Sequence, residues 1–88
     1  MILKRKGRTG KVAAVLGTVA VPLCEIEEDT GVPMVQALDC LYELETDHKV
    51  ELQKRPVVLD DCRVVDGFCV TPFGLARIRR LLGVKAVK

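Results

Sequence analysis

The chain reads as one small α+β domain, mainly helical, and three stretches carry that reading. The first is Pro22 to Val50, where two segments of helical spacing flank the breaker cluster Thr30-Gly31-Val32-Pro33. The second is an alternating run from Val50 to Arg55, answered after a long connection by Phe68 to Thr71, which reads as two paired strands. The third is a helix announced by Thr71-Pro72 and stopped by Gly83. With 88 residues the chain is one domain, because two would each be too small to bury a stable core without metals or disulfides.

Residues 1–8 read as an extended basic arm. A first helix is expected from Thr9 as N-cap to about Leu16, with Val12, Val15 and Leu16 inward and Gly17 ending it. Val19-Ala20-Val21 is a β-branched stretch long enough for a lone short strand. Pro22 then suits the first turn of a second helix, about 22–29, since its missing N–H is an orphan there anyway. Leu23 and Ile26 share one face of it, and Glu25, Glu27 and Glu28 face solvent. Gly31 tolerates a positive φ, and Pro33 suits the start of a third helix, 33–47. Ala37, Leu41 and Leu44, with Leu38 beside them, give that helix an apolar stripe. Two helices joined by a short turn containing Gly form a helix-turn-helix unit, here residues 22–47.

The strands allow two registers over residues 50–71. In one, Asp60-Asp61 is the turn, so that Arg55 meets Asp66 and Leu52 meets Cys69. In the other, residues 56–67 form a loop closing at Asp66-Gly67, a strong turn dipeptide. Pro56 weakens continuous pairing, and the favoured form is a long hairpin with an irregular tip. The last helix, 72–83, has Thr71 as N-cap, Pro72 in its first turn and a buried stripe of Leu75, Ile78 and Leu82.

The composition is 49% hydrophobic but only 3% aromatic, so the core must be aliphatic, and base-stacking platforms for single-stranded nucleic acid are hard to assemble. There is no Ser, and His48 is the single ready general base, which argues against an enzyme. The net charge of +2 conceals an asymmetry. Residues 25–47 hold eight acids and no Lys or Arg, while the N-terminal block (Lys4, Arg5, Lys6, Arg8, Lys11) and the half after His48 are basic. Cys24, Cys40, Cys62 and Cys69 match no zinc-ligand spacing, and reduced thiols in a cytoplasmic protein are expected. The basic start followed by Val12–Leu23 imitates an export signal, but Gly17 and Pro22 interrupt it and no cleavage site follows. That run is also too short to span a membrane. No cofactor, metal or small-molecule ligand is called for.

Helix, short strand, helix, turn, helix, strand, long hairpin, strand, helix is the order of the winged helix-turn-helix superfamily. The stretch TGVPMVQALDCLYELETDHKVEL resembles that superfamily's turn, second motif helix and first wing strand. VTPFGLARIRRLL is similar to the entry to the last helix in regulators of the MarR and PadR type. The resemblance implies that helix 3 enters the major groove of duplex DNA while the wing touches flanking backbone. The outward residues of helix 3 would then be Val35, Gln36, Asp39, Cys40 and Glu43, with Gln36 suited to bidentate contact with adenine. Phosphate contacts would fall to Lys49, Lys54, Arg55 and Arg63 on the wing and to Lys4, Arg5 and Lys6 on the arm. Asp39 and Glu43 depart from the pattern, since phosphates repel them; His48 and Lys49 stand where Gly and an aliphatic residue are more usual.

Other features have plainer readings. Gly7-Arg8-Thr9-Gly10-Lys11 lacks the spacer and the Ser or Thr of a phosphate loop. Cys62 and Cys69 are too few for a cluster, though a redox role for them is a third option. Five aliphatics at the hairpin tip (Val57, Val58, Leu59, Val64, Val65) predict a homodimer buried there or at the terminal helices, where Ile2, Leu3, Leu81, Leu82, Val84 and Val87 would contribute. The leading expectation is thus a small dimeric DNA-binding regulator of transcription. The alternative is a winged-helix protein–protein interaction module whose acidic helix 3 face docks a basic partner.

Overall fold

Residues 7–83 are described in the computed structural model of the chain. Among them four helices and a three-stranded antiparallel sheet follow the order α1 (Arg8–Val15), β1 (Val21–Pro22), α2 (Leu23–Thr30), α3 (Met34–Asp47), β2 (Leu52–Val58), β3 (Val64–Val70) and α4 (Pro72–Leu81). The sheet order is β1-β3-β2, so the last strand to form in sequence lies in the middle. Among the described residues no helix is long and apolar enough to cross a membrane.

The core is mostly aliphatic, with Phe68 as an aromatic member. Val12 and Ala13 of α1, its C-cap Leu16, Ile26 of α2 and Ala37, Leu41 and Leu44 of α3 pack with Val50, Val70 and Ile78. Each large aliphatic side chain so buried contributes about 1.5–3 kcal/mol relative to exposure. The expected Val12, Val15 and Leu16 all pack in or against the core, and Ala13 joins them, while the start of the helix shifts. Gly7, not Thr9, is the N-cap, and Lys11 N–H bonds the Gly7 carbonyl at 2.9 Å. Starting the helix earlier leaves Thr9 inside it, and Ala13 rather than Val15 is fully buried. The first strand also shifts, from 19–21 to Val21–Pro22. Val19 is left exposed, because only Val21 and Pro22 pair with β3, opposite Phe68 and Gly67. Pro22 is accordingly the N-cap of α2 rather than a residue of its first turn.

The turn between α2 and α3 works as its residues suggest. Gly31 takes a left-handed φ of 75° and donates its N–H to the Glu27 carbonyl at 2.7 Å. Thr30 Oγ1 donates to the Ile26 carbonyl and accepts from Val32 N–H at 3.1 Å. Pro33 is the N-cap of α3, and Glu27 does not simply face water: its carboxylate accepts from Met34 N–H at 3.1 Å, capping the next helix from the previous one.

The hairpin is long, and Asp66-Gly67 is not its turn; both residues lie within β3. The register is also one residue from the one centred on Asp60-Asp61. Leu52 pairs with Val70, Arg55 with Gly67 and Pro56 with Asp66. A third loop residue causes the shift. Leu59 N–H bonds the Arg63 carbonyl and Cys62 N–H the Leu59 carbonyl, while Cys62 adopts φ 69°. This is a turn followed by a left-handed residue, a position that favours Gly. The slip decides which side chains face the core. It puts Phe68 and Val70 on the face of Leu52, and all three pack on the core. Pairing runs through Pro56 because β2 is an edge strand, where a missing N–H is tolerated.

The last helix begins as expected. Thr71 Oγ1 accepts from Gly74 N–H at 3.0 Å with Pro72 in the first turn. Its buried face is Ile78, Leu81 and Leu82, with Leu75 half-buried, so Leu81 and Leu82 fill the domain's own core and are not free for a dimer interface; Gly83 has φ 73° and follows the end.

Candidate interaction surface

The helix α3 is the wall on which the candidate residues converge or fail to converge. Its inward stripe is Ala37, Cys40, Leu41 and Leu44. Cys40 was expected to face outward, but it lies three residues before Glu43 and three after Ala37, at the border of the stripe, and is buried. The outward residues fall on two flanks. Gln36, Asp39 and Glu43 line a shallow depression with Arg8 and Thr9 at the start of α1. Met34, Leu38 and Tyr42 line the opposite flank, facing the hairpin. Val35 lies between the flanks and is 76% exposed.

The proposed phosphate-contacting residues do not gather on one face of α3. Lys54 and Arg55 are neighbours on β2 and therefore point to opposite sides of the sheet. Arg55 donates to Gln53 Oε1 at 3.2 Å. Arg63 is held to Asp61 at 2.6 Å, an exposed pair that orients the guanidinium but adds little stability. Lys54 and Arg63 do share the cleft that Met34, Leu38 and Tyr42 border, whereas Gln36 is on the far flank. Lys4, Arg5 and Lys6 lie outside the described residues, as do Ile2, Leu3, Val84 and Val87.

Lys49 has a different assignment. It takes a left-handed φ of 59° just beyond α3, and Val50 N–H reaches back to the Leu44 carbonyl at 3.0 Å. His48 is the C-cap, and its carbonyl accepts from Arg77 Nε at 2.9 Å. Glu45 and Asp47 oppose the dipole at this end of α3; the guanidinium of Arg77, from α4, supplies the positive charge that the helix itself lacks.

The residues that sequence reasoning passed over are Met34 and Tyr42. With Leu38 they repeat at intervals of four, a second apolar stripe beside the core stripe, and that spacing was the signal available. Met34 and Tyr42 are 44% and 52% exposed. The surface of α3 thus combines exposed apolar side chains with carboxylates, and the helix contains no cation. The cysteines divide into buried Cys40 and Cys69 and exposed Cys24 and Cys62, all free. Among the described residues no group of His, Cys, Asp and Glu is arranged to hold a metal ion. Comparison with known proteins returns no matching family, curated protein or solved structure.

Proposed function

We propose that the chain is a winged helix-turn-helix domain that works as a protein-interaction module, docking a partner through α3 and the hairpin beside it. The element order and the Gly31-centred turn support the winged-helix assignment. One observation carries the functional half: the outward surface of α3 exposes Met34, Val35 and Tyr42 among Asp39, Glu43 and Glu45, with no Lys or Arg anywhere in Met34–Asp47. Exposed apolar side chains grouped on one element mark a contact surface. A helix bearing only negative charge is repelled by phosphates on both sides of a major groove.

Duplex DNA binding is the second reading, favoured by the exposed cations Lys54 and Arg55 on the hairpin. Titration of mixed-sequence duplex against salt separates the two. The interaction module gives no binding that steepens as salt is lowered. A regulator gives affinity that falls steeply with salt and drops further when Lys54 and Arg55 are neutralised. Self-association belongs to either reading. Val58 and Val64 face one another across the hairpin and are 68% and 64% exposed, a pair that a second copy would cover. Light scattering across micromolar concentrations tests it, and a concentration-independent monomer mass removes it.

A further inference from the structure

The Met34–Tyr42 flank of α3 is one wall of a longer groove. Its first half, a cleft of about 440 Å³, lies between α3, the start of α2 and the hairpin, with Leu23, Met34, Leu38 and Tyr42 as apolar lining. Lys54, Arg63 and Asp66 also border it, two cations and one carboxylate, so this half carries no excess of acid. A second cleft adjoins the first, sharing Pro22, Cys24, Leu59 and Arg63 with it. There the character changes: Glu25, Glu28, Asp60 and Asp61 line it, and its one lining cation, Arg63, is already committed to Asp61. The groove therefore runs from an apolar end without excess acid to a strongly acidic one.

We infer that this groove binds a segment of a partner protein that carries aliphatic side chains at one end and Lys or Arg at the other. The inference rests on the interaction-module reading and adds the partner's chemistry and its orientation. Apolar side chains displace water from the Met34–Tyr42 half, at roughly 25 cal/mol per Å² of apolar surface removed from solvent. The cations meet the carboxylates of Glu25, Glu28 and Asp60, which gives register and selects against acidic partners. The same carboxylates exclude a nucleic-acid strand from the groove.

Tyr42 is the single Tyr and there is no Trp, so tyrosine fluorescence reports on the apolar half alone. The probes are a short amidated peptide of aliphatic residues followed by lysines, its counterpart with glutamates in place of the lysines, and a mixed-sequence DNA duplex. The lysine peptide is expected to change the Tyr42 signal saturably. Its affinity should fall about tenfold or more in the double variant Glu25→Lys/Glu28→Lys, and severalfold in Met34→Gln. Glu25 and Glu28 are exposed, so the charge reversal leaves the core untouched. That double variant should in turn bind the glutamate peptide, which also shows that it is folded. Equal binding of both peptides to the unaltered protein, or an unchanged affinity after charge reversal, overturns the inference. So does the absence of a saturable change with either peptide. In that last case a steep, salt-dependent affinity for the duplex removes the interaction-module reading as well, whereas no duplex binding removes the groove assignment alone.

Discussion

Two parts of the molecule, the entry to α4 and the tip of the hairpin, are built on opposite principles. At the entry to α4, residues distant in sequence lock one another. Thr71 N–H bonds the Glu51 carbonyl at 3.3 Å, Thr71 Oγ1 donates to the Glu51 carboxylate at 2.6 Å and accepts from Gly74 N–H. Gly74 lets the helix approach so closely that a Cβ there would lie 2.8 Å from the Glu51 carbonyl oxygen. At the tip every hydrogen bond is local, between Leu59, Asp61, Cys62 and Arg63, and Val58 and Val64 remain in water. The first region is held by long-range contacts, although Phe73 in the same turn is left 80% exposed. The second is held by local bonds alone, keeps Val58 and Val64 exposed, and accepts a left-handed Cys62 to set the hairpin register.

Substitutions sharpen this contrast, and the largest effect belongs to the packed junction. Gly74→Val forces backbone apart at a contact that no rotamer change relieves, and a loss of about 3 kcal/mol is expected. In a domain this size that lowers the melting temperature by more than about 10 °C, measurable by thermal denaturation. A melting temperature within error of the unaltered protein would mean that α4 does not pack on Glu51 as described. Thr71→Ala comes next. It removes the helix cap and the bond to Glu51, for a loss of about 1–2 kcal/mol by urea unfolding.

Changes at the tip are expected to be smaller, and one of them is of the opposite sign. Cys62→Gly relieves a left-handed conformation that costs a residue with a Cβ about 1–2 kcal/mol, offset in part by the freedom glycine has when unfolded. A net gain of about 0.5–1 kcal/mol should appear in the urea midpoint. If Cys62→Gly destabilises instead, the three-residue loop and the hairpin register derived from it are in error. Asp61→Ala is the least. It breaks an exposed ion pair and one exposed backbone contact, so its cost should be within about 1 kcal/mol and should shrink with salt. Stability that drops by several kcal/mol would move the tip into the same class as the α4 junction.

Legibility in sequence follows the same division. Thr71-Pro72 and Gly31 announce a helix start and a helix stop through backbone chemistry that acts within a few residues, and both are found where expected. The hairpin register was not legible to one residue. Asp60-Asp61 looks like a two-residue turn, and only burial of Phe68 and Val70 beside Leu52 outweighs the local cost at Cys62. Cys40 was misplaced for a related reason. It lies at the border of a helical stripe, where the neighbouring element decides which side is buried. The Met34-Leu38-Tyr42 spacing was present in the sequence, yet a four-residue repeat is equally a core stripe until the position of the hairpin is known.

By itself the sequence determined one aliphatic domain, its helices and strands to within a few residues, and an acidic central segment between two basic ones. Those properties depend on composition, short-range periodicity and local caps. Tertiary structure decided that Arg77 would supply the positive end for α3, that Glu27 would cap the helix after its own, and that the hairpin would fold beside an apolar flank of α3. It also separated Gln36 from Lys54 and Arg63, residues that a linear reading grouped as one surface. The reason is common to all of them: a side chain's partner across the fold is set by which faces pack together, and that depends on every buried contact at once.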